Sequence, residues 1–407
     1  MEKFDPVEYV RGLKQLLVSD KKRIGFLFGA GTSLAKKNKN SITVPVIKEM
    51  TNIVVKELSK KSEFETAIKQ IRIEIGEEKF NIESFLSNVE SKKNIIGTGT
   101  LNGLDRKGFD ELIRKTKQQI INIVSVHKKI VENEAIKDLI HVDFAEWIGR
   151  ADRKYPVEIF TTNYDYLFEL GLENKSIPYY DGFTGSFNPF FYSDSIENMK
   201  FLPNQTKLWK IHGSLGWKLE DKKVLRKDSS HEDILIYPSV LKYDNSRKLP
   251  YISLMDRLSN FLKQPDTILI VSGYSFGDEH INERILTALN SHTNAHVFVL
   301  FYDKRLIRDG QYQYTLTEDS NIVKLAMENS KLTVLGGKNA VIGSTYGEWV
   351  IKRQIEEESE IENFYKLDKN EDSWTGQGEL VLSDFSKFVK FLQSMILGSG
   401  GVEFSEL

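Results

Sequence analysis

The chain has no cysteine among its 407 residues. That absence excludes disulfides and every thiolate metal site, structural zinc ribbons included, and the expectation is a protein without a metal. Neither sign of charge dominates. The 56 lysines and arginines stand against 58 aspartates and glutamates, a formal net charge of −2, which argues against broad electrostatic capture of nucleic acid. No apolar run approaches the ~20 residues needed to span a bilayer, and the N-terminal MEKFDPVEYVRGLKQLLVSDKK lacks an uncharged apolar core. A soluble, cytoplasmic protein is therefore expected, with no membrane contact and no direct nucleic-acid binding.

What is present is a globular composition, 40% hydrophobic and 11% aromatic, in a chain long enough for two domains or for one α/β domain with insertions. The stretch RIGFLFGAGTS, residues 23–33, joins an apolar run directly to Gly29-Ala30-Gly31 and then Thr32-Ser33. This is the form of a buried parallel strand entering a tight turn, where missing side chains let backbone approach a phosphate. Ahead of it, apolar positions at helical spacing from 4 to 18 predict an amphipathic helix, and after it Pro45 is placed to open a helix running to about Leu58. From about Phe64 to Arg153 the pattern is helical almost throughout, more than a crossover requires, and reads as a helical insertion over about 60–153. Asn81 marks one helix start, Gln118 to Val131 is a further helix, and the glycine-containing stretch 97–108 is a connection.

Strand patterns return at Val157–Phe160, Leu208–Ile211, Ile234–Pro238, Thr267–Val271, His296–Tyr302 and Leu332–Leu335, with a hairpin around Asp221. Helices are expected at Tyr166–Leu172, Tyr251–Phe261, Glu279–Leu289 and Asn321–Glu328. Strands alternating with helices, with polar or glycine-rich turns at strand ends, predict an α/β fold with a Rossmann-like parallel sheet, whose ligand crevice lies outside the carboxyl ends of the strands. Residues 1–350 form the catalytic unit in this reading. The stretch 351–407, which opens with five glutamates between 356 and 362, is a C-terminal appendage for packing or oligomerisation.

Four turns carry candidate chemistry. Gly29-Ala30-Gly31-Thr32-Ser33 lacks the third glycine of the dinucleotide fingerprint, because Leu34 stands there, so a phosphate cradle and an ordinary glycine turn are both open. In Thr161-Thr162-Asn163-Tyr164-Asp165, Asn163 offers a donor and an acceptor that could orient a hydroxyl or water, or it could cap the next helix. His212, followed by Gly213-Ser214, could act as a general base near neutral pH. Among the other histidines, His127, His141, His292 and His296 have no comparable setting. In Gly273-Tyr274-Ser275-Phe276-Gly277-Asp278, the aspartate reads as a helix N-cap, which leaves the glycine and serine unexplained.

GAGTS at 29–33, TTNYD at 161–165, IHGS at 211–214 and GYSFGDEHIN at 273–282, in that order, resemble the sirtuin superfamily. Within it they resemble specifically the sirtuin-like NAD-degrading proteins of bacterial antiphage defence, and the likeness runs from about residue 20 to 345. The resemblance implies that Gly29, Ala30, Gly31 and Ser33 hold the NAD pyrophosphate, that Asn163 and His212 serve the nicotinamide ribose and the chemistry, that Gly273 and Ser275 contact ribose or phosphate, and that Asp303 reaches the adenosine ribose. Thr32, Thr162, Asp165, Gly213, Ser214 and Tyr274 complete the candidate NAD-contacting set. Protein deacylases of the superfamily carry a four-cysteine zinc module and a glutamine where Thr162 stands, and a cysteine-free chain cannot build that module. The expectation is an NAD hydrolase releasing nicotinamide and ADP-ribose, with NAD as substrate and gated by assembly. By the same resemblance it is a homo-oligomer and a partner of a HerA-type hexameric ATPase. An ADP-ribosyl transferase or deacylase, and a non-catalytic NAD or ADP-ribose sensor, are the alternatives.

Overall fold

The computed structural model describes residues 1–151, 153–197, 204–227, 250–291, 294–307, 311–353, 360–368 and 374–397. The strand expected at 234–238, His292, and most of the glutamate run lie outside them.

A ten-stranded sheet organises the fold, in the order β1-β16-β15-β14-β11-β10-β2-β3-β7-β4. Its parallel centre comprises β2 (Arg23–Phe28), β3 (Glu158–Thr161), β7 (Thr206–Lys210), β10 (Thr267–Ser272), β11 (His296–Leu300) and β14 (Leu332–Leu335). The β-branched and aromatic runs in β2 and β10 suit strands buried on both faces. The chain passes from β2 to β3 and β7 on one side, then returns to the other side of β2 with β10, β11 and β14. The switch point therefore lies between β2 and β10, where α/β sheets open a ligand crevice.

Register brings the strand ends level. Phe28 pairs with Ser272 and with Thr161, and Thr161 pairs with Lys210. Gly29, Thr162, Ile211 and Gly273 are thus the next residues of four adjacent strands, and the four motifs recognised in the sequence emerge side by side.

Alternation along the strands divides the sheet into two cores. Phe26, Phe28, Ile159 and Ile270 face one side, where α1 (Pro6–Val18), α8 (Ile140–Arg150) and α14 (Phe385–Leu397) cover them. Leu27, Phe160, Trp209 and Val271 face the other, under α11 (Tyr251–Leu262), α12 (Glu279–Asn290) and α13 (Asn321–Glu328). The helix near the C-terminus thus shares the central core: Phe388 lies 6.2 Å from Phe26 and Phe385 5.2 Å from Phe28. On the second face Arg257 of α11 pairs with Glu158 through both carboxylate oxygens, and Glu158 Oε2 also accepts from Trp209 Nε1 at 2.9 Å. This buried ion pair, with its lone pairs taken up, ties α11 to β3 and β7.

Between β2 and β3 run the short helix α2 (Ala30–Leu34), then α3 (Ile47–Leu58), α4 (Ser62–Ile75), α5 (Ile82–Ile95), α6 (Arg106–Val124) and α7 (Val126–Glu132). Helices α3 to α7 have their own apolar core around Phe64, Phe85 and Phe109. Asn81 caps α5 with a full capping box. Pro45 stands ahead of α3 without being its first residue, and the expected 118–131 helix is divided at Ser125. Helix α8, in contrast, belongs to the sheet: Phe144 meets Phe26 at 5.1 Å.

Strands not anticipated from sequence close the far edge. β1 (Glu2–Phe4) pairs in parallel with β16 (Thr345–Trp349), which forms a hairpin with β15 (Asn339–Ile342). At the other edge β4 (Tyr179–Tyr180) adds to β7. A small antiparallel sheet of β5 (Phe183–Thr184), β6 (Phe190–Phe191), β8 (Trp217–Glu220) and β9 (Lys223–Arg226) stands beyond it. Its β8–β9 turn has Asp221 and Lys222 at φ 47° and 64°, the left-handed pair of a tight hairpin.

Candidate active site

The glycine turn packs against a second turn. An ideal Cβ on Gly31 would sit 2.7 Å from the Gly273 Cα, and one on Gly29 would sit 2.5 Å from the Gly273 carbonyl oxygen. Gly273 itself has φ +66°, and a Cβ there would lie 2.6 Å from the Thr32 nitrogen. The three glycines let two backbones touch at the switch point. Gly29 N donates to Ser272 O and Gly31 N to Gly273 O, at 3.1 and 2.9 Å. In this structure, then, the room made by Gly29 and Gly31 holds the backbone of Gly273, whereas Ala30 at the tip of the turn is exposed.

Asn163 stitches this turn to the end of β3. Its Nδ2 donates toward Gly29 O (3.1 Å), Thr32 Oγ1 (3.0 Å) and Ser33 Oγ (2.8 Å). Ser33 Oγ in turn donates to Asp165 Oδ2 at 2.6 Å, and Thr32 Oγ1 to Gly29 O at 2.8 Å. All four side-chain-bearing residues of this clamp are buried: Thr32, Ser33, Asn163 and Asp165. The helix-cap alternative for Asn163 does not apply. The residue ahead of α9 (Leu167–Asn174) that accepts a backbone N–H is Asp165, from Leu167 N at 3.1 Å. Because the amide's donors are taken up by the turn, the carbonyl oxygen is what Asn163 can offer a ligand.

The clamp is also fastened to the loop after β7. Lys210 Nζ donates to the Asp165 carbonyl and, at 2.9 Å, to Glu169 Oε1. Leu215 N donates to Tyr164 O at 3.1 Å, and the Tyr166 hydroxyl to Leu215 O. Ser214 is buried against Tyr164 O, at 3.4 Å from its Oγ. Gly213, at φ +88°, turns the chain directly after His212.

His212 and Asn163 each stand two residues beyond the paired Lys210 and Thr161, at the carboxyl ends of adjacent strands. The His212 side chain is 13% exposed, and its Nε2 lies 3.2 Å from Asp278 Oδ2. That partner was not read from the sequence, where Asp278 looked like a cap alone. The cap is real as well: Oδ1 accepts from His280 N (3.1 Å) and Ile281 N (3.4 Å). Ser275 is exposed at the rim, Thr162 is half-buried, and the ring of Tyr274 is buried with its hydroxyl 3.1 Å from Asp278 O.

Asp303 stands apart from this cluster. It follows β11 and is 2% exposed, with Oδ1 accepting from Gly337 N at 2.9 Å. Burial pushes its carboxyl above the usual range. A cavity of about 240 Å³ lies behind the loops, among Tyr166, Glu169, Lys210, Leu215 and Trp217. Of the motif residues only Ser214 lines it, so it is distinct from the Asn163–His212 end of the crevice.

Residues 157–324 match the family model of the SIR2-like domain, and so a sirtuin-like family is supported by the stretch that carries Asn163, His212 and Asp278. A SIR2-like domain fits NAD-dependent activity in general. The matched stretch begins after the Gly29 turn, which joins the same site through the hydrogen bonds to Asn163 and Gly273. The comparison with curated proteins gave no match. Among the described residues no helix is long and apolar enough to cross a membrane, and no group of acidic and histidine side chains is arranged to hold a metal ion.

Proposed function

We propose that the protein is an NAD hydrolase that breaks the bond between nicotinamide and ribose. The observation that carries this reading is the juxtaposition of a fixed Asn163 and a partly exposed His212 at the carboxyl ends of two paired strands, within the SIR2-like stretch. The bond that breaks joins the ribose C1′ to the ring nitrogen of nicotinamide. Its electron pair returns to that nitrogen, so a cationic group leaves neutral. A water oxygen forms the new bond to C1′ and loses a proton.

In this scheme the Asn163 carbonyl oxygen accepts a hydrogen bond from the water or a ribose hydroxyl and holds it in line. His212 accepts the proton. The glycine turn, with Ala30 and Ser275 at its open rim, is the region left to meet the phosphates. The same reading extends to depletion of NAD in antiphage defence and to control by assembly, with further copies of this chain or with a hexameric ATPase.

Incubation of the purified protein with NAD, alone and with such an ATPase, and chromatography of the products test the reaction. Equal amounts of nicotinamide and ADP-ribose are expected. Bound NAD without nicotinamide release under both conditions would overturn the proposal, and label transferred to protein would replace hydrolysis with ADP-ribosylation.

A further inference from the structure

Asp278 does what a helix cap requires with one oxygen only. Its Oδ1 receives the backbone N–H groups of His280 and Ile281. An asparagine or serine would serve that purpose about as well. The second oxygen is what an aspartate adds, and Oδ2 is the atom that meets His212 Nε2, at 3.2 Å, with the two side chains only 8% and 13% exposed. A carboxylate at that depth is costly unless its charge is answered. Here it is answered from two sides, by the N-terminus of the 12-residue helix α12 and by the imidazole. A helix N-terminus favours negative charge at this place, and the carboxylate is directed at a histidine from a different strand end.

The turn between β10 and α12 is built to hold that direction. Phe276 adopts φ +57°, a left-handed conformation that is strained for a residue with a side chain. Asn282 Nδ2 secures the Phe276 carbonyl at 2.8 Å, and the Tyr274 hydroxyl reaches Asn282 Oδ1 at 3.0 Å and the Asp278 carbonyl at 3.1 Å. Tyr274, Phe276, Asp278 and Asn282 are all buried. The segment GYSFGDEHIN is thereby accounted for as a rigid bracket, with Gly273 packing on the glycine turn at one end and the Asp278 carboxylate at the other.

We propose that Asp278 is a positioning residue for His212: it fixes the imidazole against the end of β7 and raises its affinity for the proton that the hydrolytic step releases. The catalytic consequence rests on the NAD-hydrolase reading, whereas the pairing does not. The other titratable groups at these strand ends are engaged elsewhere. Asp165 is held by Ser33 and by Leu167 N, Lys210 by Glu169 and the Asp165 carbonyl, and the Tyr274 hydroxyl by Asn282 and the Asp278 backbone.

The test uses the full chain with ¹³C-labelled histidine, comparing wild type with Asp278→Asn and Asp278→Ser, both of which keep a capping side chain. His212 is assigned by the signal lost in His212→Gln. In both variants the proton affinity of His212 should fall at least about tenfold, as expected on removing an adjacent opposite charge. The denaturant midpoint should change little. With NAD, kcat should fall about 10- to 100-fold with KM within about twofold, and the acid limb of the kcat profile should move to lower pH. An unchanged His212 titration in both variants overturns the proposal whatever the activity. A shifted titration in a wild-type background that releases no nicotinamide upholds the pairing and removes the hydrolase reading instead.

Discussion

On the Gly29 side of the strand ends, Thr32, Ser33, Asn163 and Asp165 direct their polar atoms at one another and at backbone, and all are buried. On the β7–β10 side, His212 is partly open, Ser275 is exposed, and the fixed group is a carboxylate that holds the histidine from behind. Both sides come from motifs of the same kind, a strand end followed by small and polar residues. The contrast separates residues that build the crevice from residues positioned to act in it. A buried hydrogen-bonded clamp contributes stability and shape, and its loss should register in unfolding experiments. A partly exposed base contributes chiefly to rate, and its loss should cost the fold less than the loss of the clamp.

The largest expected effect is on rate. His212→Ala should lower NAD cleavage by roughly 10²–10⁴, equivalent to about 3–5 kcal/mol of barrier, while the free energy of urea unfolding falls by only about 1 kcal/mol, because the N-terminus of α12 still answers the Asp278 carboxylate. Gly273→Ala should act in the opposite sense on the comparison. A methyl group 2.6 Å from the Thr32 nitrogen, on a residue at φ +66°, should cost about 3 kcal/mol or more of stability, because only backbone can move to admit it. Asn163→Ala comes next. It leaves Gly29 O and the Thr32 and Ser33 hydroxyls without their shared donor, and about 2 kcal/mol of stability should be lost together with activity. If His212→Ala proved as destabilising as Asn163→Ala, the division into builder and actor would fail.

How much of this was legible in the sequence depends on how local each feature is. Strands β2 and β10 and helix α12 were readable because continuous apolar runs, an N-cap aspartate and strand-end glycines lie within a few residues of one another, whereas the short helix α2 was read as a turn. The helix start at Asn81 was readable for the same reason. Strand β1 was not, since Glu2–Phe4 offers one apolar residue and takes its register entirely from β16. The two-residue strands of the small sheet carry too few positions to show a period. The β15–β16 hairpin did leave a signal, Gly343-Ser344 at φ 55° and 65° between apolar strands. At the site, the motif residues could be named, but their division of labour could not. That Gly31 makes room for Gly273, that Asn163 donates into the glycine turn, and that Asp278 turns one oxygen to His212 are contacts across strands, decided by register and not by neighbours in sequence.

The smallest effect, and the one that probes the clamp from behind, concerns His141 on α8. The ring is buried between Phe168, at 4.7 Å, and Phe385, at 5.6 Å, and neither nitrogen has a hydrogen-bond partner among the described residues. Burial pulls its pKa from 6.5 down to about 4, against the opposing pull of Asp165 in the clamp. The folded chain thus keeps this imidazole neutral where the unfolded chain would protonate it. Its contribution is complete above about pH 6.5 and is lost as pH falls toward 4, amounting to about 2 kcal/mol between pH 7 and pH 5. Carboxyls raised by burial, Glu169, Asp181 and Asp303 among them, act with the opposite sign, since a raised carboxyl favours the folded chain as pH falls. The measurement is therefore a difference. The stability gap between wild type and His141→Leu, from urea unfolding, should shift by about 2 kcal/mol in favour of the variant on going from pH 7 to pH 5. A constant gap would mean that His141 is charged in the fold. Because the charge that acts on His141 is that of Asp165 in the clamp, acid should loosen the Asn163 side of the crevice before the His212 side. Amide exchange, corrected for its intrinsic pH dependence, should lose protection at Ser33 and Leu167 at pH 5 while Ile281 in α12 keeps it.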